Sequence, residues 1–312
     1  MPSILKDCGI MLEPQLGMGM KELVDAARLA DRLGFGYLFR SDHLLPTDGR
    51  RGIASPECWT SLGVVAASTE TVKFGPMVSP IGFRNPALLS KMACTLHSFS
   101  GGRLQLAVGA GWYDPEYKAL GYPFPGFSER VAQFREALDI VLKLVKEGRA
   151  DYDGKYLSAH TDCLPRPSGD MNVIVGAKAP ALVRVAARQA DEWNVFVSPK
   201  EDFDKMMRAF RGALDGRRVA VSETGPFLLG KGLADLEANA RLQARKFGSD
   251  APPSEVISRL KKRGAACGDV DEFVEAVRAK LDLGVSRLYF QTLVPENTAM
   301  TELLADTLKQ RV

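Results

Sequence analysis

The 312 residues fit either two domains at roughly 150 residues each or one α/β barrel of ~250 residues with insertions. Apolar residues make up 46% and charged residues 25%, a balance that supplies a large core and excludes a disordered chain. Lys and Arg (41) against Asp and Glu (38) leave a net charge of +3, too little to signal nucleic-acid binding, so an anion site has to come from a local cluster.

Short apolar runs alternate with helical patterns along the whole chain. Cys8 to Leu12 reads as a first strand. The helix after it carries Leu23, Ala26, Ala27, Ala30 and Leu33 at helical spacing, and Gly34 stops it. Tyr37 to Phe39 is a second strand, Pro56 to Ser68 a helix, and Val72 to Val78 a third strand. Pro86 opens the next helix and Leu104 to Val108 forms a fourth strand. Ser128 is placed to cap a helix whose Val131, Phe134, Leu138, Val141, Leu142 and Val145 share one stripe. Then come a strand at Val173 to Val175, a helix from Pro180 to Gln189 and a strand from Trp193 to Val197. Phe203, Met206, Met207, Phe210 and Leu214 line a helical face, and Phe227 to Leu229 reads as the seventh strand. A helix through Val270, Phe273, Val277 and Leu281, a strand from Arg287 to Gln291 and a helix from Thr298 to Lys309 complete the chain.

About eight strand–helix units in succession predict a parallel sheet. Two segments interrupt the rhythm: 146–172 is polar, with Gly and Pro, and 231–269 carries helical pieces at Leu233 to Lys246 and Ser254 to Lys262. No linker or composition shift divides the chain, and the first strand leads into Glu13-Pro14-Gln15 rather than a G-x-G-x-x-G turn. The reading is a single α/β domain over 1–312, a (β/α)8 TIM barrel with excursions at 146–172 and 231–269. The longest uncharged stretch, Cys58 to Thr69, has 12 residues against the ~18 a membrane span needs. Lys6 and Asp7 stand where a signal peptide would be apolar, and the five cysteines are scattered and form no C-x-x-C pair. We therefore expect a reduced cytoplasmic protein without membrane, nucleic-acid or metal partners.

In such a barrel the working residues sit at the C-terminal strand ends. Those ends carry Glu13, Arg40-Ser41-Asp42-His43, Ser79-Pro80, Gly109-Ala110-Gly111-Trp112, Gly176-Ala177-Lys178 and Gln291. The set lacks a metal-ligand cluster and a nucleophile elbow. Its small residues let a flat ring or a phosphate approach the backbone closely. His43 suits a general acid or base, against a loop Asp-His that merely caps the next helix. His97 reads as structural and His160 as a surface residue. Gly109-Ala110-Gly111 fits a ring edge or a tight turn, Trp112 a ligand stack or a cover of the mouth, and Lys178 an anion site or solvent. The Arg217-Arg218 and Lys261-Lys262-Arg263 clusters read as solvated faces.

Phe83-Arg84-Asn85-Pro86-Ala87-Leu88-Leu89, Ser100-Gly101-Gly102-Arg103-Leu104, Gly109-Ala110-Gly111-Trp112 and Gly121-Tyr122-Pro123-Phe124, in this order and spacing, resemble the bacterial luciferase-like flavin and deazaflavin oxidoreductases. Ser41-Asp42-His43, the run from Ala186 to Asn194 and Leu12-Glu13-Pro14-Gln15 are similar to the same family. The resemblance implies the same barrel with a flavin-type ring in its mouth, and it favours the coenzyme F420-dependent branch. It implies His43 as proton donor or acceptor, Asp42 at the pyrimidine edge or the tail, and Ala110, Gly111 and Trp112 flanking ring and ribityl chain. Gly176, Ala177, Lys178 and Ala179 are then placed at the phosphate. In the resembling enzymes a non-proline cis peptide backs the ring, and Met77-Val78, with Ser79 following, occupies the matching position. Lys178 and Ala179 depart from the family's glycine-rich run. Trp112 stands where sugar-phosphate dehydrogenases of the family carry a glutamate, which argues against that substrate.

The resulting expectation is a homodimeric oxidoreductase that transfers hydride between F420 and a small organic substrate at the barrel mouth. The alternatives are an FMN-dependent monooxygenase on the same fold and a barrel that binds a ligand without turnover.

Overall fold

In the computed structural model, which describes residues 4–167 and 169–312, the chain starts with β1 (Cys8–Leu12), α1 (Met20–Leu33), β2 (Tyr37–Arg40) and α2 (Cys58–Ser68). It continues through β3 (Lys73–Pro76), β4 (Ser79–Pro80), α3 (Pro86–Phe99), β5 (Leu106–Gly109), α4 (Asp114–Leu120) and α5 (Phe127–Leu142). A hairpin of β6 (Arg149–Asp153) and β7 (Ser158–Asp162) precedes β8 (Val173–Gly176), α6 (Pro180–Gln189), β9 (Glu192–Phe196) and α7 (Lys200–Arg211). The last third holds β10 (Ala220–Pro226), β11 (Leu228–Gly230), α8 (Leu233–Lys246), α9 (Pro253–Lys262), β12 (Cys267–Asp269), α10 (Val270–Asp282), β13 (Arg287–Thr292) and α11 (Thr298–Arg311).

The main sheet runs in the order β3, β2, β1, β13, β10, β9, β8, β5, β4, and all of its pairings are parallel. Because β3 and β4 are consecutive pieces of one strand, the ring closes. Gln105 N–H donates to Phe74 O at 2.8 Å across the seam. The architecture is the (β/α)8 barrel that the sequence rhythm predicts, with the hairpin β6–β7 in the excursion at 146–172 and α8 and α9 in that at 231–269. Among the described residues no helix is long and apolar enough to cross a membrane.

Strand alternation sorts side chains between two cores. On β9, Trp193 and Val195 point outward into the large cluster under the helices. Asn194 faces inward and donates to Ser222 Oγ and Thr224 Oγ1, both at 2.9 Å. Met11, Tyr37, Phe39, Met77, Ala107, Ile174 and Tyr289 fill the barrel interior. The helices start and stop on local signals. Gly34 ends α1 in the left-handed region at φ +88°, and the Asn85 side chain accepts from Ala87 N–H at 2.8 Å to start α3 with Pro86 in its first turn.

Three expectations are corrected. Gly126, not Ser128, caps α5, because the chain turns at Pro125-Gly126 and Arg130 N–H already bonds Gly126 O at 3.0 Å. The seventh barrel strand is β10, whose inward Ser222 and Thr224 mask its apolar alternation, whereas the run at Phe227 to Leu229 feeds β11, paired outside the barrel with β12. The third strand is not continuous from Val72 to Val78 but divides into β3 and β4 around Met77-Val78.

The barrel floor, at the N-terminal strand ends, is tied by one carboxylate. Glu192, fully buried, accepts from Tyr289 Oη at 2.7 Å, from Asn172 Nδ2 at 3.2 Å and from the Arg287 guanidinium. Arg287 also lies over the Tyr37 ring, 5.3 Å from its centre. Burial pushes the Tyr289 phenol well above its ordinary range and keeps it a neutral donor. Removing one partner of a buried pair strands the others, so Glu192→Ala should lower the unfolding free energy by ~3–5 kcal/mol in urea titration, with Glu192→Gln losing less. A loss below 1 kcal/mol contradicts this account.

Candidate active site

The loop leaving β2 carries His43 into the barrel mouth. Its Nδ1 lies 2.8 Å from Glu116 Oε2. The other carboxylate oxygen of Glu116 accepts from the backbone N–H of Leu44 and, at 2.8 Å, from that of Leu45. Glu116, 1% exposed, sits in the first turn of α4, which Asp114-Pro115 opens and Gly121 closes at φ +74°. A carboxylate only accepts, so Nδ1 carries the hydrogen and Nε2 is the nitrogen left to exchange a proton. Trp112 and Tyr113 stand edge-on to the imidazole at 5.8 and 6.2 Å between ring centres.

Asp42 does not present its carboxylate to the mouth. Arg84 grips it with both terminal nitrogens, at 2.6 and 3.1 Å, and Ser79 Oγ donates to it at 2.6 Å. Arg84 also reaches Glu57 at 2.6 Å, and Trp59 Nε1 donates to Ser79 Oγ at 3.0 Å. The Asp42 side chain is fully buried in this array and thus fixes the loop rather than meeting a ligand. A second array closes the rim between β1 and β13. Glu13 accepts from Gln291 and from Gln15, and the Gln15 carbonyl accepts from the Ser41 hydroxyl.

The Met77-Val78 peptide is cis, the geometry the resemblance implied. Val78 fills space that two glycines leave at neighbouring strand ends. A Cβ on Gly109 would stand 2.6 Å from Val78 Cγ2, and one on Gly176 would stand 2.7 Å from Val78 Cγ1. Beyond Gly176, the polar backbone of Ala177 is already used, its N–H donating to Asn194 O at 3.0 Å and its carbonyl accepting from Trp193 Nε1 at 2.9 Å. Lys178 is exposed, and Ala179 precedes the N-terminus of α6. His97 is buried with Nδ1 3.0 Å from Leu104 O, and His160 is exposed on the hairpin beside Asp151 and Asp153, in line with their structural and surface readings.

A cavity of about 360 Å³ opens beside Ala110, lined among others by Gly82, Arg84, Tyr117, Tyr122, Arg130 and Gln133. Tyr117 Oη and Arg130 Nε are buried there without a hydrogen-bond partner. Burial holds the Tyr117 phenol above its ordinary range, so it stays a neutral donor. A guanidinium and a phenol lining one cavity suit an anionic group. Sequence reasoning missed Glu116 and Tyr117 because it did not recognise α4, whose available signals were Asp114-Pro115 and Gly121, and it missed Arg130, at the start of the recognised α5, because only the apolar stripe of that helix was read.

A profile described as luciferase-like monooxygenase matches residues 7–287. The chain belongs to this family. A protein of Nocardia farcinica named F420-dependent glucose-6-phosphate dehydrogenase is 30% identical over 298 residues, 87% of this chain and 88% of that one. One of the same name from Intrasporangium calvum is 36% identical over 177 residues, 55% of this chain and 53% of that one. The F420-dependent tetrahydromethanopterin reductase of Methanopyrus kandleri superposes with a TM-score of 0.75 over 96% of this chain and 97% of that one, at 21% identity.

Glu116 holds His43 and the backbone after it in place. Glu116→Ala should lower turnover by about 10- to 100-fold, the usual cost of losing a partner that orients a functional imidazole. Nitrogen NMR of the three histidines should show His43 losing its Nδ1–H preference, while His97 and His160 stay unchanged. An unaltered His43 spectrum contradicts the role.

Proposed function

We propose that the protein is an F420-dependent oxidoreductase that works on a small organic substrate at the C-terminal mouth of the barrel. The observation that carries the reading is His43, held by Glu116 through Nδ1 with Nε2 free, in a mouth where glycines bare the strand-end backbone and Trp112 and Tyr113 flank the imidazole. The family membership and the F420-dependent relatives support the cofactor. The chain would supply the proton transfer: His43 Nε2 would take the hydroxyl proton of a carbinol as it is oxidised, or return it in the reverse direction, while the deazaflavin, when bound, would supply the hydride chemistry.

In this reading Met77 and Val78, backed by Ser79, form the floor under the ring, and Ala110 and Gly111 lie along it with Trp112 at its edge. Asp42 holds His43's loop in register through Arg84 and Ser79. The anionic tail finds two sets of donors: Lys178 with the backbone of Gly176 and Ala179 at the start of α6, the Ala177 N–H being committed to Asn194 O, and Arg130 with Tyr117 at the cavity beside Ala110. The protein acts in the cytoplasm as a homodimer. Glucose 6-phosphate, the substrate in the relatives' names, is one compound to assay.

Fluorescence titration with F420 and with FMN tests the cofactor, and F420 should bind the tighter. His43→Ala should reduce turnover about 100-fold or more with F420 affinity nearly unchanged. Lys178→Ala and Arg130→Ala should each weaken F420 by ~1–3 kcal/mol, the scale of a charge-assisted hydrogen bond. Unchanged turnover in His43→Ala contradicts the mechanism, and unchanged affinity in either cation variant removes that residue from the tail site.

A further inference from the structure

We propose that the substrate is an uncharged carbinol or carbonyl compound bearing an aromatic ring, and that the ring seats on Trp112 beside His43. The proposal rests on the oxidoreductase reading and names its substrate class.

Trp112 is 67% exposed, an unusual state for the largest apolar side chain. The backbone puts it there. Gly111, at φ +77°, turns the chain outward directly after β5, and a Cβ at that position would stand 2.2 Å from Tyr117 Oη. The indole is nevertheless not adrift. Its ring centre lies 5.2 Å from that of Tyr113, and both rings meet the His43 imidazole edge-on at 86°. The two aromatic rings thus stand directly beside the imidazole, with the Trp112 face open to solvent. An indole supplies a large, rigid apolar face on which a second ring stacks or packs edge-on.

Charge points the same way. A phosphorylated substrate needs a cation with free donors near the reacting carbon. Arg84 is engaged by Asp42 and Glu57, Arg50 by Asp48, and Lys200 by Asp204. Lys178 follows β8, which lies beyond β5 from His43 in the strand order. Arg130 lines the cavity beside Ala110 and is assigned above to the cofactor's tail, while the carboxylates of the mouth are Glu116 on His43 and Glu13 at the rim, joined through Gln15 to Ser41. A phosphate dianion at His43 would meet negative charge and an indole face, whereas a neutral aromatic compound meets no penalty.

Two measurements on the full chain test this. The first needs no cofactor. Of the three tryptophans, Trp59 and Trp193 are buried, so quenching of Trp112 by acetophenone reports the seat. We expect saturable quenching in the wild type and its loss in Trp112→Phe; quenching that is linear in both proteins overturns the seat. The second is turnover of 1-phenylethanol, 2-propanol and glucose 6-phosphate with F420, whose binding is titrated separately for each variant. 1-Phenylethanol should have the highest kcat/KM. Trp112→Ala should raise its KM about tenfold more than that of 2-propanol, and Trp112→Phe should restore most of the difference. Glucose 6-phosphate as the preferred substrate, or equal KM changes for the two alcohols, overturns the proposal. Failure of F420 to bind the wild type refutes the oxidoreductase reading instead, and the quenching experiment still decides the aromatic seat.

Discussion

The mouth of this barrel depends on one carboxylate placed where two loops meet. Glu116 belongs to α4, after β5, and its oxygens bind the imidazole and two backbone N–H groups of the loop after β2. A buried carboxylate with three donors has little reason to move, since any displacement leaves charge and donors unsatisfied in a low-dielectric site. The contact fixes which nitrogen of His43 faces the mouth, and it presses the loop against the strand-end turn that carries Trp112 and Tyr113. His43 and the aromatic pair beside it therefore share a single anchor.

The other arrays hold the frame around that anchor. Asp42 and Arg84 bind the loop after β2 to the one after β4, and Glu57 extends the pair toward the start of α2. Glu13, Gln15, Gln291 and Ser41 join β1 to β13 and to the β2 loop. At the opposite end, Glu192 gathers Arg287, Tyr289 and Asn172. The division of labour is the one a barrel permits: polar groups at the floor are satisfied by one another, and those at the mouth are arranged so that a few donors and one imidazole nitrogen stay available. Tyr117 and Arg130 follow this rule. Tyr117 Oη and Arg130 Nε are buried without a protein partner, as are Arg40 Nη2 and Thr292 Oγ1 at the ends of β2 and β13, and Tyr117 and Arg130 line the same cavity.

Packing shapes the floor of the mouth as much as polarity does. Val78 enters the site only because Gly109 and Gly176 have no side chains. Glycine at two adjacent strand ends makes a socket for one β-branched side chain, and it leaves the backbone of both strands open to a flat ligand. The two glycines at these strand ends thus have a concrete task, to admit Val78.

The sequence by itself determined the alternation of strands and helices, and most boundaries followed from local signals such as Gly34 after α1 and Pro180 at the start of α6. It also singled out His43, because few residue types exchange protons near neutrality and strand ends are the working positions of a barrel. Interior polarity hid β10, whose Ser222 and Thr224 bond Asn194 inside the barrel rather than showing an apolar stripe. Tertiary structure alone decided the partners. Glu116 and His43 are 73 residues apart, and no periodicity in either segment announces their contact. Asp42 looked available in sequence and proved to be enclosed by Arg84, 42 residues later. Local propensity acts over a few residues and so writes elements into the sequence, whereas hydrogen-bond partners are chosen by how those elements close on one another, which only the folded barrel contains.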